Sequence, residues 1–172
     1  SWVSATYQVH TIKPVKSLAE LKGHKLVVWD AVTIEIAKAL GANPVRLPSP
    51  DTYLALSKGM ADGVLCPMAP VRSFKISEAT KYHLMLNTGV TGFSISAHKP
   101  LWDEMPADMQ NWLKEKGGVA MALAIGKSLE AGAKEDSEWM RQQGHEFYEL
   151  SEQDHAALMK ALSPFLEHWQ KE

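Results

Sequence analysis

Residues 25–29, KLVVW, form a near-continuous apolar run bounded by polar turn residues. A run of this kind reads as a strand covered on both faces. TIEIAKALG, at 33–41, then takes helical spacing, with Thr33 expected as the cap and Gly41 past the end. NPVRLP at 43–48 is a second strand. Ser49 and Pro50 open another helix that runs through Tyr53, Leu54 and Leu56 to Gly59, and GVLCP at 63–67 is a third strand. Strands and helices alternating with short links are the signature of parallel βαβ units. An α/β fold is therefore expected over residues 15–70: an open, mostly parallel sheet flanked by helices. Ligands of such sheets gather beyond the carboxyl ends of the strands. That rim would carry Trp29 and Asp30, Leu47 to Ser49, and Cys66 to Met68.

The flanking segments follow other patterns. TYQVHT at 6–11 alternates like an exposed strand, and Ser17 to Glu20 carries the Ser-x-x-Glu capping box of a short helix that stops at Gly23. HLMLNTGVTGFSISA at 83–97 has strand composition, but Gly89 and Gly92 interrupt it, so an extended crossing segment is expected there instead of a sheet core. From Pro106 helical spacing continues to Gln143, a rod of about 57 Å at 1.5 Å per residue. Glycines at 117, 118, 126 and 132 each cost about 1 kcal/mol against alanine, which predicts a kink or a break. EFYEL at 146–150 is a last strand, and Ser151 caps a terminal helix expected to be interrupted near Pro164.

Charge and motifs narrow the function. A net charge of −2, with 18 Lys and Arg spread along the chain, excludes a phosphate-neutralising face, so no nucleic-acid partner is expected. No apolar stretch reaches the ~18 residues of a membrane span. The opening SWVSATYQVH lacks the basic and apolar regions of a signal peptide, so the signal of an exported protein would already have been removed. Cys66 is the single cysteine, so no internal disulfide can form.

Catalytic and cofactor signatures are absent from the sequence, which points away from an enzyme and implies no cofactor. The seven histidines never fall three or four apart, so no helical metal pair arises, and surface positions are expected for them. Cys66 reads either as a nucleophile or as a small buried thiol at a strand end. Asp30 reads equally as a ligand-facing carboxylate or as the cap of the following helix, and Trp29 as a stacking platform or as core filling. Asp62 before Gly63 reads as a turn former, and KEDSE at 134–138 as a solvated helix face.

Five blocks in order carry a resemblance: KPVKSLAELKGHKLVVW, IAKALGANPVRLP, DTYLALSKGMADGVLCP, SFKISEATKY and PLWDEMPADMQNWL. Together they resemble the periplasmic solute-binding proteins of TRAP (tripartite ATP-independent periplasmic) transporters, the DctP-type family. The resemblance implies one lobe of a two-lobed periplasmic binding protein fold plus a long inter-lobe helix. On that frame, residues 1–14 are a crossing strand from a first lobe that would precede Ser1, and 15–82 are the second lobe. Residues 83–143 are a return strand and long helix belonging partly to the first lobe, and 144–172 pack back on the second. It implies a receptor subunit that captures a small organic solute in the periplasm and delivers it to membrane permease subunits. A ligand-sensing domain of a transcriptional regulator shares the two-lobed design and is the alternative.

The family's solute clamp, an arginine on the first strand of the second lobe, corresponds here to Val27, and a second arginine of some members corresponds to Tyr7. The family's asparagine before proline corresponds to Cys66, and an aromatic falls near Ser49. Each charge-assisted hydrogen bond of such a clamp contributes roughly 1.5–3 kcal/mol, so ordinary dicarboxylate binding is not expected. The resemblance then gives a cleft of Tyr7, Val27, Trp29, Asp30, Ala31, Ser49, Cys66, Met68 and Asn87. Trp29 and Tyr7 would stack on an aromatic or weakly polar solute, Asp30 would take a donor or an amine, and Arg72 would restore a carboxylate clamp from a new position. With the first lobe outside the chain, apolar residues such as Met121, Leu123, Ile125 and Trp139 would be exposed, favouring a homodimer or a domain-swapped dimer.

Overall fold

The computed structural model describes the backbone of residues 1–169 and the side chains of all of these but 166, 168 and 169, so the expectation for His168 lies outside the described residues. The strands are β1 (Trp2–Val3), β2 (Tyr7–Thr11), β3 (Lys25–Val28), β4 (Asn43–Arg46), β5 (Gly63–Pro67), β6 (Tyr82–Thr88), β7 (Gly92–Phe93) and β8 (Glu146–Glu149). The helices are α1 (Ala31–Ala39), α2 (Thr52–Ser57), α3 (Ala69–Ser73), α4 (Ile76–Ala79), α5 (Lys99–Glu104), α6 (Ala107–Lys116), α7 (Gly118–Gln142) and α8 (Glu152–Trp169).

Six strands form one sheet in the order β4-β3-β5-β2-β6-β8, and β1 pairs separately with β7. The pairs β3–β4, β3–β5 and β6–β8 are parallel, while β2 runs antiparallel to both its neighbours. The sheet is thus mostly parallel, as the sequence implies, with one reversed strand at its centre.

That strand departs from expectation. Tyr7–Thr11 is buried at every position instead of half exposed. Its polar residues are satisfied within the protein: Gln8 exchanges hydrogen bonds with the side chain and backbone N–H of the distant Asn87 at 2.8 and 2.9 Å, and the Thr11 hydroxyl donates to the nearby Lys13 carbonyl. Residues 82–88, expected as a crossing segment, instead form a sheet strand between β2 and β8. Their irregularity survives as a register shift opposite Tyr7 and Val9, with Asn87 held at φ 51°.

Alternate residues of each strand feed two cores. Val9, Leu26, Val28, Leu65, Leu84 and Leu86 pack under α1 and α8 through Ile36, Leu40, Leu158 and Leu162. Val27, Val64 and Cys66 pack on the other face with Ala55, Leu56, Val71, Ile76 and Met140, from α2, α3, α4 and α7. The rod expected from Pro106 breaks at Gly117 and Gly118. A Cβ on Gly117 would lie 2.6 Å from the Leu113 carbonyl oxygen, and Gly118 sits at φ +65°. The terminal helix, in contrast, runs on through Pro164. That proline and Lys160, four residues before it, are both on the exposed side of the helix.

His10, His83 and His145 are not surface groups. They lie buried in a row beneath the second face, with His10 Nδ1 2.7 Å from His83 Nδ1 and His83 Nε2 2.9 Å from His145 Nδ1. His10 Nε2 is 3.1 Å from the Cys66 carbonyl oxygen, which can only accept. That end fixes the whole series: His10 carries its proton on Nε2, so His83 must donate from Nδ1 and His145 must donate from Nδ1 in turn. Burial lowers the affinity of all three for a second proton, to a pKa of about 4 for His10, with Arg141 acting against charge on His83 and Lys81 against charge on His145.

The unfolded chain, with histidines near 6.5, therefore binds protons the folded one refuses. Stability is complete above that value and falls as pH drops from 6.5 toward about 4. Each histidine contributes a slope of up to about 1.4 kcal/mol per pH unit. Urea midpoints should be flat above neutral pH and decline below it, and His83→Gln should flatten part of that decline. A midpoint independent of pH across this window would contradict the neutral, buried series.

Candidate functional site

The chain leaves β3 into α1 over one face of the sheet and leaves β5 into α3 over the other. Neighbouring parallel strands whose connections diverge in this way open a crevice at their carboxyl ends. A pocket of about 470 Å³ lies there. Trp29 and Asp30 come from the end of β3, Pro67, Ala69 and Pro70 from the end of β5, and Tyr7 from the start of the reversed strand. Trp2, Phe93, Thr91 and Leu129 close its outer side.

Local sequence sets each polar group. Asp30 caps α1: its Oδ1 accepts from the Thr33 backbone N–H at 2.8 Å, while the Thr33 hydroxyl accepts from the Asp30 N–H at 3.2 Å, a reciprocal capping box. The helix accordingly starts at Ala31, not after Thr33. Asp30 Oδ2 takes only a long contact, 3.4 Å, from the Tyr7 hydroxyl, which also bonds Thr91. Burial and the Asp30 charge keep the Tyr7 phenol protonated by raising its pKa, against the Thr91 hydrogen bond, which lowers it. Trp29 is held by an indole N–H bond of 3.0 Å to the Thr52 hydroxyl and by an edge contact with Phe74. Across the mouth, Trp2 and Phe93 stack with centroids 5.7 Å apart.

Of the residues expected in the cleft, Tyr7, Trp29 and Asp30 line this pocket together. The others do not. Val27 is 0 % exposed because strand parity turns it onto the α2 face, and Met68 is buried in the same core. Cys66 is also 0 % exposed, and burial pushes its thiol up, so it stays protonated and is no nucleophile. Ala31 is exposed on the first turn of α1, and Ser49 sits half-buried in the 3-10 turn that precedes α2. Asn87 is exposed and tied to Gln8. Arg72 pairs with Asp136 of α7 at 3.1 Å and lies 4.6 Å from the Trp139 ring centre, so it braces α3 against α7 instead of clamping a ligand.

Sequence reading missed Trp2, Phe93, Thr91, Pro70 and Leu129, whereas Pro67 falls within the rim segment it named. The aromatic residues in the strand-like stretches 1–3 and 92–93 were the available signal, because two short pairing segments bring their side chains onto one face. Among the described residues no cluster of His, Cys, Asp or Glu could hold a metal, and no helix is long and apolar enough to cross a membrane.

An open α/β sheet with a ligand-sized apolar pocket at its switch point is the design of a small-molecule binding module, and solved structures share it. A TRAP solute-binding protein from Rhodoferax ferrireducens, in complex with copurified benzoate, superposes with a TM-score of 0.90 at 24 % identity, over 97 % of this chain and 54 % of that one. One from Desulfovibrio salexigens gives 0.83 at 26 % identity, over 98 % and 53 %. The model of the DctP family, "Bacterial extracellular solute-binding protein, family 7", matches residues 1–172, and the chain belongs to that family. Among curated relatives, the C4-dicarboxylate-binding periplasmic protein DctP of Rhodobacter capsulatus is 27 % identical over 152 residues, 88 % of this chain and 46 % of its own length. A solute-binding protein of Albidiferax ferrireducens is 30 % identical over 130 residues, 72 % of this chain and 36 % of its own. The chain thus spans less than half the length of these relatives.

Arg72→Ala is expected to cost about 1 kcal/mol or less in urea denaturation, the scale of a partly exposed ion pair, and to leave solute affinity within about twofold. A large loss of affinity in titration calorimetry would return Arg72 to the site.

Proposed function

We propose that this chain forms the solute-gripping part of a receptor for a TRAP-type secondary transporter, acting in the periplasm on a small organic solute built around a single ring. The observation that carries this reading is the pocket at the switch point, where Trp2, Tyr7, Trp29 and Phe93 surround a space of about 470 Å³. Apolar walls with a few convergent polar groups suit a ligand of that size. The benzoate of the Rhodoferax ferrireducens protein and the mandelates of a Bordetella bronchiseptica relative support a single-ring solute. Residues 15–82 form one wall of the cleft, and the segments around 83–143 reach toward a second lobe. Closure on solute then presents the receptor to membrane permease subunits. Tyr7, Trp29 and Asp30 contact the solute. No observation favours a regulator's sensing domain.

The stretch of α5, α6 and α7 exposes Leu101, Met109, Trp112, Val119 and Leu123, each by more than half. Met121, Ile125 and Trp139, expected among them with Leu123, are instead half-buried, Trp139 against the second core. Residues 1–172 alone are expected to bury this face in a second copy. Light scattering should give a dimer at high protein concentration, and a clean monomer there would contradict it.

Mass spectrometry of the full-length receptor under native conditions should reveal a copurified single-ring molecule. Trp29→Ala should weaken its binding by about tenfold or more through lost stacking. A receptor that copurifies empty and binds no single-ring compound, or whose affinity is unchanged by Trp29→Ala, overturns the assignment.

A further inference from the structure

We infer that Gln8 and Asn87 are positioning residues for solute binding: their paired amides pin a register shift that assembles the outer wall of the pocket. The inference rests on the receptor reading and names the residues that give its site its shape.

At their core end, β2 and β6 pair with Thr11 opposite Tyr82, His10 opposite His83 and Val9 opposite Leu84. Past Val9 the register jumps and Tyr7 stands opposite Thr88, so Met85, Leu86 and Asn87 lie opposite the single residue Gln8. The new register then holds as far as Trp2. The Ser4 N–H donates to the Thr91 carbonyl at 2.8 Å, Val3 lies opposite Gly92, and Trp2 opposite Phe93. Without the jump, counting on from His10 and His83 would bring Leu86 to Tyr7 and Thr91 to Trp2. The jump is what sets Phe93 on Trp2 and brings Thr91 within reach of the Tyr7 hydroxyl, and all four residues line the pocket.

A bulge leaves extra residues without ladder partners, and here a buried side chain fills the gap. Gln8 Nε2 donates to Asn87 Oδ1 at 2.8 Å and to Thr6 Oγ1 at 3.1 Å, while Gln8 Oε1 accepts from the Asn87 N–H at 2.9 Å. Asn87 takes φ 51°, a conformation asparagine tolerates better than most residues. Such a pin is needed: residues 87–92, NTGVTG, are polar and rich in glycine, the composition in which register slips most readily. Helix α7 packs on β1, whereas the residue that β7 presents to Trp2 follows from the count set at Asn87.

The test is disulfide trapping on the full-length receptor under a mild oxidant. Val3→Cys with Gly92→Cys reads the observed register, and Val3→Cys with Val90→Cys reads the register without the jump. Cys66 is buried and its thiol stays protonated, so it takes no part. In the otherwise unaltered receptor the first pair should close and the second stay open. Adding Gln8→Ala or Asn87→Gly should slow the first and speed the second by about tenfold. In receptor without the added cysteines, the same two variants should weaken benzoate binding by about tenfold in titration calorimetry, because only the correctly registered fraction binds. Asn87→Asp keeps the acceptor and the tolerance of positive φ, so both readouts should stay within about twofold.

Trapping in the observed register alone, with or without the paired amides, overturns the inference. So does unchanged benzoate affinity in both variants. If the unaltered receptor binds no benzoate, the single-ring reading fails, and the trapping pattern still decides the role of the amide pair. Gln8→Ala hollows a buried site; where that variant does not fold, Asn87→Gly, at an exposed position that glycine suits, carries the same test.

Discussion

The structure depends on one reversed strand. Residues 7–11 lie between β5 and β6, hydrogen-bonded along both edges and buried throughout, and without them the sheet would separate into β4-β3-β5 and β6-β8. Every strand they join comes from a later part of the sequence, up to residue 149. This non-local pairing sets the closeness of approach at Gly63, where any Cβ would fall 2.5 Å from the His10 carbonyl oxygen. It also delivers Tyr7 to the carboxyl rim, since a strand that runs backwards starts where its neighbours end. The pocket's floor and the sheet's continuity are therefore the same feature.

Around that strand, the α/β core between 25 and 67 was legible from sequence alone. KLVV and GVLCP are continuous apolar runs because each is covered on both faces, and the short links leave only parallel crossovers. The central strand was not legible, for a physical reason. Gln8, His10 and Thr11 look like a solvent face until their partners Asn87, His83 and the Lys13 carbonyl are known, and two of those lie more than seventy residues away. The break at Gly117 and Gly118 was legible because glycine's cost in a helix is local. The continuity of α8 through Pro164 was not, because it depends on which side of the helix meets solvent.

The site was legible by position more than by identity. Trp29 and Asp30 stand at the end of the first strand, and any open α/β sheet presents that end to a ligand. The resemblance points to the rim, and depth along the strand decides which side chains the pocket reaches: Trp29 follows the end of β3, while Val27, on the same face, lies two residues deeper. Val27 and Cys66 share the face that α2 and α3 cover. Asp30 shows the capping reading directly, since one oxygen caps α1 while the other accepts a long hydrogen bond from Tyr7. The outer wall, from Trp2, Thr91, Phe93 and Leu129, depends on pairing between segments some ninety residues apart, which no local pattern encodes.

Helix α7 ties the outer wall to the interior. Of its 25 residues only Met140, near the last turn, is buried, while Leu129 reaches the pocket about 17 Å further up the rod. Beyond Leu129 the rod lies against β1, where Trp2 and Val3 share a hollow with Gly118, Val119 and Ala122. One helix therefore spans from the second core to the strand that supplies Trp2, so the pocket mouth inherits its position from a single rigid element.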